Sequence, residues 1–283
     1  MAEKIIISIP PIYEPVTDKN IRDSKKWTLR RNENAQKLGG LIEERLQDTL
    51  GELARLAYMY NVPAEQFQFS ADEDFREQVA QVMMDLEEEI MELMELYSLN
   101  ATDDNDRRST LLPWLAALSS KGADNLRQTL GMRLRQFLYD TEAQVAAMKM
   151  SGYDLTKALE RIISTMRSVY SSAEVQSAYK KNPAAMYLRS RGVHYGNVGL
   201  SSSGAVNVIN LGIQTATITW MKSQLLDFLQ MGAVGYYQLR GSSYPCEICD
   251  DEVGIHVGDY TNDPYPHAHC MCYRVPLMLK TAK

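Results

Sequence analysis

The stretch Asp72–Tyr97, DEDFREQVAQVMMDLEEEIMELMELY, places Val79, Met83, Leu86, Ile90, Leu93 and Tyr97 at alternating intervals of four and three residues. That is the seam of an amphipathic helix that packs on other helices, and it lacks the period-two alternation of a strand. The opposite face is acidic. Residues 71–100 contain ten Asp or Glu against Arg76 alone, so this face meets solvent or a basic partner. Ser70, with Glu73 three residues on, is the expected start, as the two ends of a capping box.

Upstream, roughly Trp27 to Tyr60 carries Leu38, Ile42, Leu46, Leu50, Leu53, Ala57 and Tyr60 along one stripe, and this helix should pair with the acidic one. Downstream, the polar run SLNATDDNDRRST has no periodicity and is expected to be a loop. Asn125–Met150 turns Leu126, Leu130, Leu134, Phe137, Val145 and Met148 inward, and a fourth helix is expected from Asp154 to Tyr170. GVHYGNVGLSSSG, residues 192–204, reads as a linker. Beyond it Val206, Ile209, Ile213, Ala216 and Trp220 repeat at three and four in a helix that reaches Gly232, a residue suited to a left-handed C-terminal cap. AVGYYQLRG then has the β-branched and aromatic content of a strand.

The expected fold is mainly α, an elongated helical bundle followed by a small α+β C-terminal domain. It divides into an extended N-terminal arm (1–26), a helical domain (27–191), a linker (192–204) and the C-terminal domain (205–283). In the arm, Ile5–Ile9 followed by Pro10 and Pro11 suits an edge strand, either on the same chain or added to a partner's sheet.

With 283 residues and 45% hydrophobic content the chain can bury a sizeable core, and its net charge of -6 excludes the overall basicity of a general nucleic-acid binder. Charge is uneven, however. Residues 149–195 hold eight Lys or Arg against three acidic residues, and Lys180, Lys181, Arg189 and Arg191 are the candidate contacts to DNA or an acidic protein surface, if this is not simply a solvated face. Gly192–Met221 has no charged residue, but its Asn, Ser, Gln and Thr argue against a membrane span. The apolar run at the N-terminus is too short for a secretory signal, so a cytoplasmic chain is expected.

All four cysteines and three of the four histidines fall between Tyr244 and Pro276. Cys246 and Cys249 form a C-x2-C pair, and His267, His269, Cys270 and Cys272 follow about twenty residues later. Thiolate and imidazole ligands at such spacing suit a tetrahedral Zn²⁺ that staples a segment too poor in apolar residues to hold itself. The expected ligands are Cys246 and Cys249 with two of His267, Cys270 and Cys272; His269 is the reserve, and His256 reads as a loop residue. Two disulfides, unliganded thiols and a redox C-x2-C pair compete with this reading. Half of the zinc deaminase signature is present in PCEIC, but no H-x-E precedes it, because His194 is followed by Tyr195 and Gly196. An HNH-type nuclease lacks an evident catalytic His and Asn pair in a ββα frame.

The order of these residues resembles the Mu F-like family of phage head morphogenesis proteins, also called minor head or minor capsid proteins. That family ends in a helix, a strand, C-x2-C, and a segment near PPxHPNCRC followed by hydrophobic residues and proline. Here Cys246, Cys249 and PYPHAHCMCYRVP correspond, with His267, Cys270 and Cys272 on the family's histidine and two cysteines. Ala268, His269 and Met271 stand where Pro, Asn and Arg are usual. The resemblance covers residues 205–278. It implies a non-enzymatic structural component of the virion head, assembled in the host cytoplasm in multiple copies. Its partners would be the portal protein and the inner capsid surface, and its role head assembly and DNA delivery. The alternatives are a zinc-stabilised nucleic-acid-binding protein and a metal-dependent nuclease.

Overall fold

The structure, a computed structural model, describes residues 10, 12–60, 72–117, 125–150, 152–154, 157–161, 203–241, 247–258 and 270–280. Its long elements are α1 (Asp18–Met59), α2 (Glu73–Leu99), α3 (Asn105–Ala117), α4 (Leu126–Met150) and α5 (Ser203–Gln230). A short C-terminal part follows: β1 (Gly235–Leu239), α6 (Glu247–Asp251), β2 (Gly254–Val257) and β3 (Tyr273–Leu277). The protein is therefore mainly helical with a small three-stranded sheet.

α1 starts nine residues before Trp27, so the extended arm does not reach residue 26. Thr17 and Asn20 form a reciprocal capping box: Asn20 N donates to Thr17 Oγ1 at 3.2 Å and Thr17 N to Asn20 Oδ1 at 3.0 Å. Two orphan donors are thereby satisfied, and the helix can begin ahead of its first large apolar residue. Ahead of the cap, residues 12–14 lie against residues 278–280 of the same chain, while the expected edge strand Ile5–Ile9 lies outside the described residues. Tyr13 bridges Leu279, Glu14 N donates to the Met278 carbonyl at 2.8 Å, and Lys280 N to that of Ile12 at 3.0 Å.

The acidic helix begins on Asp72, whose side chain accepts from Phe75 N at 3.0 Å. Ser70, the expected cap, lies outside the described residues. Along α2 the buried positions are Phe75, Val79, Leu86, Ile90, Met94 and Ser98, while Met83, Leu93 and Tyr97 are partly buried against the same core. The Leu38–Ala57 stripe of α1 is wholly buried; Tyr60 stands outside it as the C-cap residue. All six inward residues expected on α4 are buried.

The run read as a loop is helical from Asn105. Asp104 caps α3 by accepting from Asp106 N at 2.9 Å, and Leu111 and Leu115 are buried one turn apart. The described part of the expected fourth helix, 157–161, is helical, with Ala158 and Leu159 buried; the linker 192–204 falls outside the described residues except for its last two.

α5 forms the centre of the bundle. It carries only two charges, Lys222 and Asp227, and packs against α1, α2, α3 and α4. A helix apolar on all sides must be surrounded. Its Val208, Ile209, Leu211, Ile213 and Ala216 share one core with Leu38 and Ile42 of α1, Ile90 and Met94 of α2, and Leu130 and Phe137 of α4. Thus the helix expected to open the C-terminal domain belongs to the bundle. Glycines allow the close approach of α1: a Cβ on Gly212 would overlap Ile42 Cδ1, and one on Gly39 would lie 2.8 Å from Ile213 Cδ1. Buried Thr217 and Thr219 satisfy their hydroxyls on the carbonyls of Ile213 and Thr215, at 2.7 and 2.9 Å. At the seam of three helices, Trp220 Nε1 (α5) and Asn34 Nδ2 (α1) both donate to the Tyr97 carbonyl, at 3.0 and 2.7 Å.

The C-terminus of α5 has the expected Gly232 cap, with φ +81°. Ala233 N donates to the Phe228 carbonyl and Gly232 N to that of Leu229, each at 2.9 Å, which reverses the chain into β1. The sheet is antiparallel in the order β2-β1-β3, with Tyr236 opposite His256 and Tyr237 opposite Val275. β3 lies against α1. Among the described residues no helix is long and apolar enough to cross a membrane.

Candidate metal centre

The sheet register builds one wall of the cysteine site. β1 and β3 pair as far as Leu239 opposite Tyr273, so Gly241 falls beside Met271, and a Cβ there would overlap the Met271 carbonyl. Gly241 is therefore what lets the Cys270–Cys272 segment run alongside the end of β1. An ion pair between Arg240 and Asp250 ties that end to α6, the short helix that carries Cys249.

The three sulfurs of Cys249, Cys270 and Cys272 converge within 4.8 Å of one another, all buried and none in a disulfide. Cys249 Sγ and Cys270 Sγ are 3.9 Å apart. Zn–S bonds of about 2.3 Å at tetrahedral angles require sulfurs about 3.8 Å apart. The cluster can hold a metal ion. As thiols, Cys249 and Cys272 are both held above the ordinary cysteine range. Cys270, then Cys272, then burial push the Cys249 thiol up; Cys249 pulls Cys272 down, but Cys270 and burial outweigh it and push Cys272 up to about 12. Three buried thiolates become tolerable only when a cation sits among them.

Of the residues expected to bind metal, Cys249, Cys270 and Cys272 are brought together, while Cys246, His267 and the reserve His269 lie outside the described residues. So do Lys180, Lys181, Arg189 and Arg191. His256 is not a loop residue: it sits on β2, stacked 4.7 Å from the Tyr236 ring, with Nε2 2.9 Å from the Glu252 carbonyl.

The bundle also contributes to the site. Arg31 of α1 is fully buried, and its Nη2 donates to the carbonyls of Cys270 and Cys272 at 2.5 and 3.4 Å. Asn32 Nδ2 reaches Met271 Sδ at 2.6 Å, and Ser24 Oγ donates to the Arg274 carbonyl. Burial lowers the Arg31 pKa from its usual value, while Cys270, Cys272 and Cys249 act to raise it. A spacing signal for this face exists in the sequence. Ser24, Thr28, Arg31 and Ala35 stand four, three and four residues apart, and Leu38 continues the same stripe; the buried seam of α1 simply turns polar where it meets the cysteines.

Comparison with protein-family models, with curated proteins and with solved structures gives no match to this chain.

Proposed function

We propose that the chain is a structural minor head protein of a tailed phage or prophage, associated with the portal and the inner capsid surface, and that its C-terminal part is a zinc knuckle. The observation that supports this is the convergence of Cys249, Cys270 and Cys272, residues that correspond to cysteines of the Mu F-like pattern, into one buried cluster docked on a helical bundle. Cys249, Cys270 and Cys272 supply three ligands, and the fourth comes from Cys246 or His267. Four protein ligands close the coordination shell and leave no position for a reacting water, so the ion is structural and the protein is not an enzyme. The bundle offers long helical faces to the larger assembly, and the basic segment with Lys180, Lys181, Arg189 and Arg191 is the contact to an acidic partner surface.

The test is co-expression with a portal protein from the same phage or prophage genome, followed by affinity capture and size-exclusion chromatography. A stable complex that charge reversal at Lys180 and Lys181 weakens is the expected result. No association with portal, together with DNA affinity that falls steeply with salt, would replace this reading by that of a nucleic-acid-binding protein.

A further inference from the structure

Arg31 is a buried cation that has no carboxylate partner among the described residues. The residue is 1% exposed, and its hydrogen bonds to described residues go to neutral acceptors: the Cys270 and Cys272 carbonyls and, from Nε at 3.3 Å, Asn32 Oδ1. The charged or ionisable groups that act on it are Cys270, Arg274, Cys272 and Cys249, with no carboxylate among them. A cation withdrawn from water without an anion costs several kcal/mol, and buried charges are accordingly paired. Arg274, itself buried, lies near enough to act on Arg31 as a second positive charge. Among the described residues, the groups able to supply negative charge there are the three thiols.

We propose that Arg31 is the charge partner of the thiolate metal centre: carried on α1, it balances the negative charge of the loaded cluster, positions Cys270 and Cys272 through their carbonyls, and thereby sets how tightly the ion is held. The inference rests on the metal reading given above. A divalent ion with three thiolates and one imidazole carries a net charge of about -1, and with four thiolates about -2. Either is unfavourable in a dry interior, and a guanidinium held against the ligand backbone offsets it. The benefit is reciprocal. The loaded cluster stabilises a helix residue 239 positions away in sequence from Cys270, so metal binding and docking of α1 onto β3 reinforce each other.

The test uses the full chain with Arg31→Met, Arg31→Lys and, as a control at the same seam, Ser24→Ala. Zinc affinity is measured by competition with a chromophoric chelator, and thermal unfolding is followed with zinc and with chelator. Arg31→Met is expected to weaken zinc binding about 10- to 100-fold, the usual effect of losing an outer-shell partner. Arg31→Lys, which keeps the charge, and Ser24→Ala should each stay within about fivefold of the parent, well short of that outer-shell loss. The unfolding data separate charge balance from plain packing. Arg31→Met should melt below the parent in zinc but at or above it in chelator, because an uncompensated cation has been removed. Equal destabilisation in both conditions, failure to fold in either, unchanged zinc affinity, or a loss in Arg31→Lys as large as in Arg31→Met would each overturn the proposal. If the parent itself binds no zinc, the metal reading falls and takes this inference with it. Tight zinc on both parent and Arg31→Met sinks the inference alone.

Discussion

Gly39 and Gly40 are neighbours in the middle of α1, and alanine at each should move stability in opposite directions. At Gly40, on the exposed side, an added Cβ meets nothing within 4 Å. Removing a helix-interior glycine there is worth about 0.8–1.0 kcal/mol of stabilisation. At Gly39 the same helix gain applies, but the Cβ would lie 2.8 Å from Ile213 Cδ1, 3.1 Å from its Cγ1 and 3.5 Å from Ile209 Cγ2. Ile213 is 1% exposed, so its Cδ1 must shift within a packed core or α1 and α5 must separate. Overpacking of this kind costs about 1–3 kcal/mol. Set against the helix gain, Gly39→Ala should be destabilising by about 0–2 kcal/mol, and the two variants should differ by about 1–3 kcal/mol. Urea denaturation followed by circular dichroism measures both midpoints, with equal m-values indicating that only the folded state has changed. If Gly39→Ala stabilises as much as Gly40→Ala, the α1–α5 crossing is not where the structure places it.

Three further outcomes are expected. Ile90→Ala should cost about 2–5 kcal/mol by denaturant titration, because Ile90 is completely buried at the junction of α2 and α5, whereas Glu88→Gln on the exposed face should change little. Gly241→Ala should lower zinc content and expose the C-terminal segment to protease, since the new Cβ overlaps the Met271 carbonyl between two ligands; unchanged zinc stoichiometry and cleavage would count against the site geometry. Metal-free protein should lose stability as pH rises above about 8.5, where unfolded thiols ionise while Cys272, pushed up to about 12, keeps its proton; the slope from this group alone is about 1.4 kcal/mol per pH unit. Zinc-loaded protein lacks that slope, so identical denaturation profiles for the two forms at pH 7.5 and 9.5 would contradict the assignment.

Helices with a marked apolar stripe were legible in the sequence: α2 and α4 bury the side that their three-four spacing broadly marks. Their rotation was less so. Met94 goes fully inside and Leu93 only partly, because two adjacent apolar residues leave the direction of the seam open by about 100°. α3 was missed because its first turns are polar and Pro113 lies inside it, with Leu111 and Leu115 as its buried leucines. The early start of α1 depends on Thr17 and Asn20, short polar residues whose capping role appears only in their mutual hydrogen bonds. Of the cysteine pattern, the described residues bring together Cys249, Cys270 and Cys272; Arg31 comes from the other end of the chain, and one of two adjacent arginines in a charged N-terminal region looks like any solvated residue until the seam is followed back from Leu38.

The central position of α5 also has a consequence for how the chain is made. Helices α1, α2 and α4 are synthesised first, but the surface on which they jointly pack is not complete until residues 203–230 have left the ribosome. Until then Leu38, Ile42, Ile90, Met94 and Phe137 share a core that lacks its axle. Closing it requires contacts across more than a hundred and fifty residues of chain between α1 and α5, a topology that folds more slowly than a bundle of sequential hairpins and leaves apolar faces uncovered during elongation. The nine carboxylates along α2 and the Asp72 cap are on the chain by then, and their like charge disfavours association of unfinished copies.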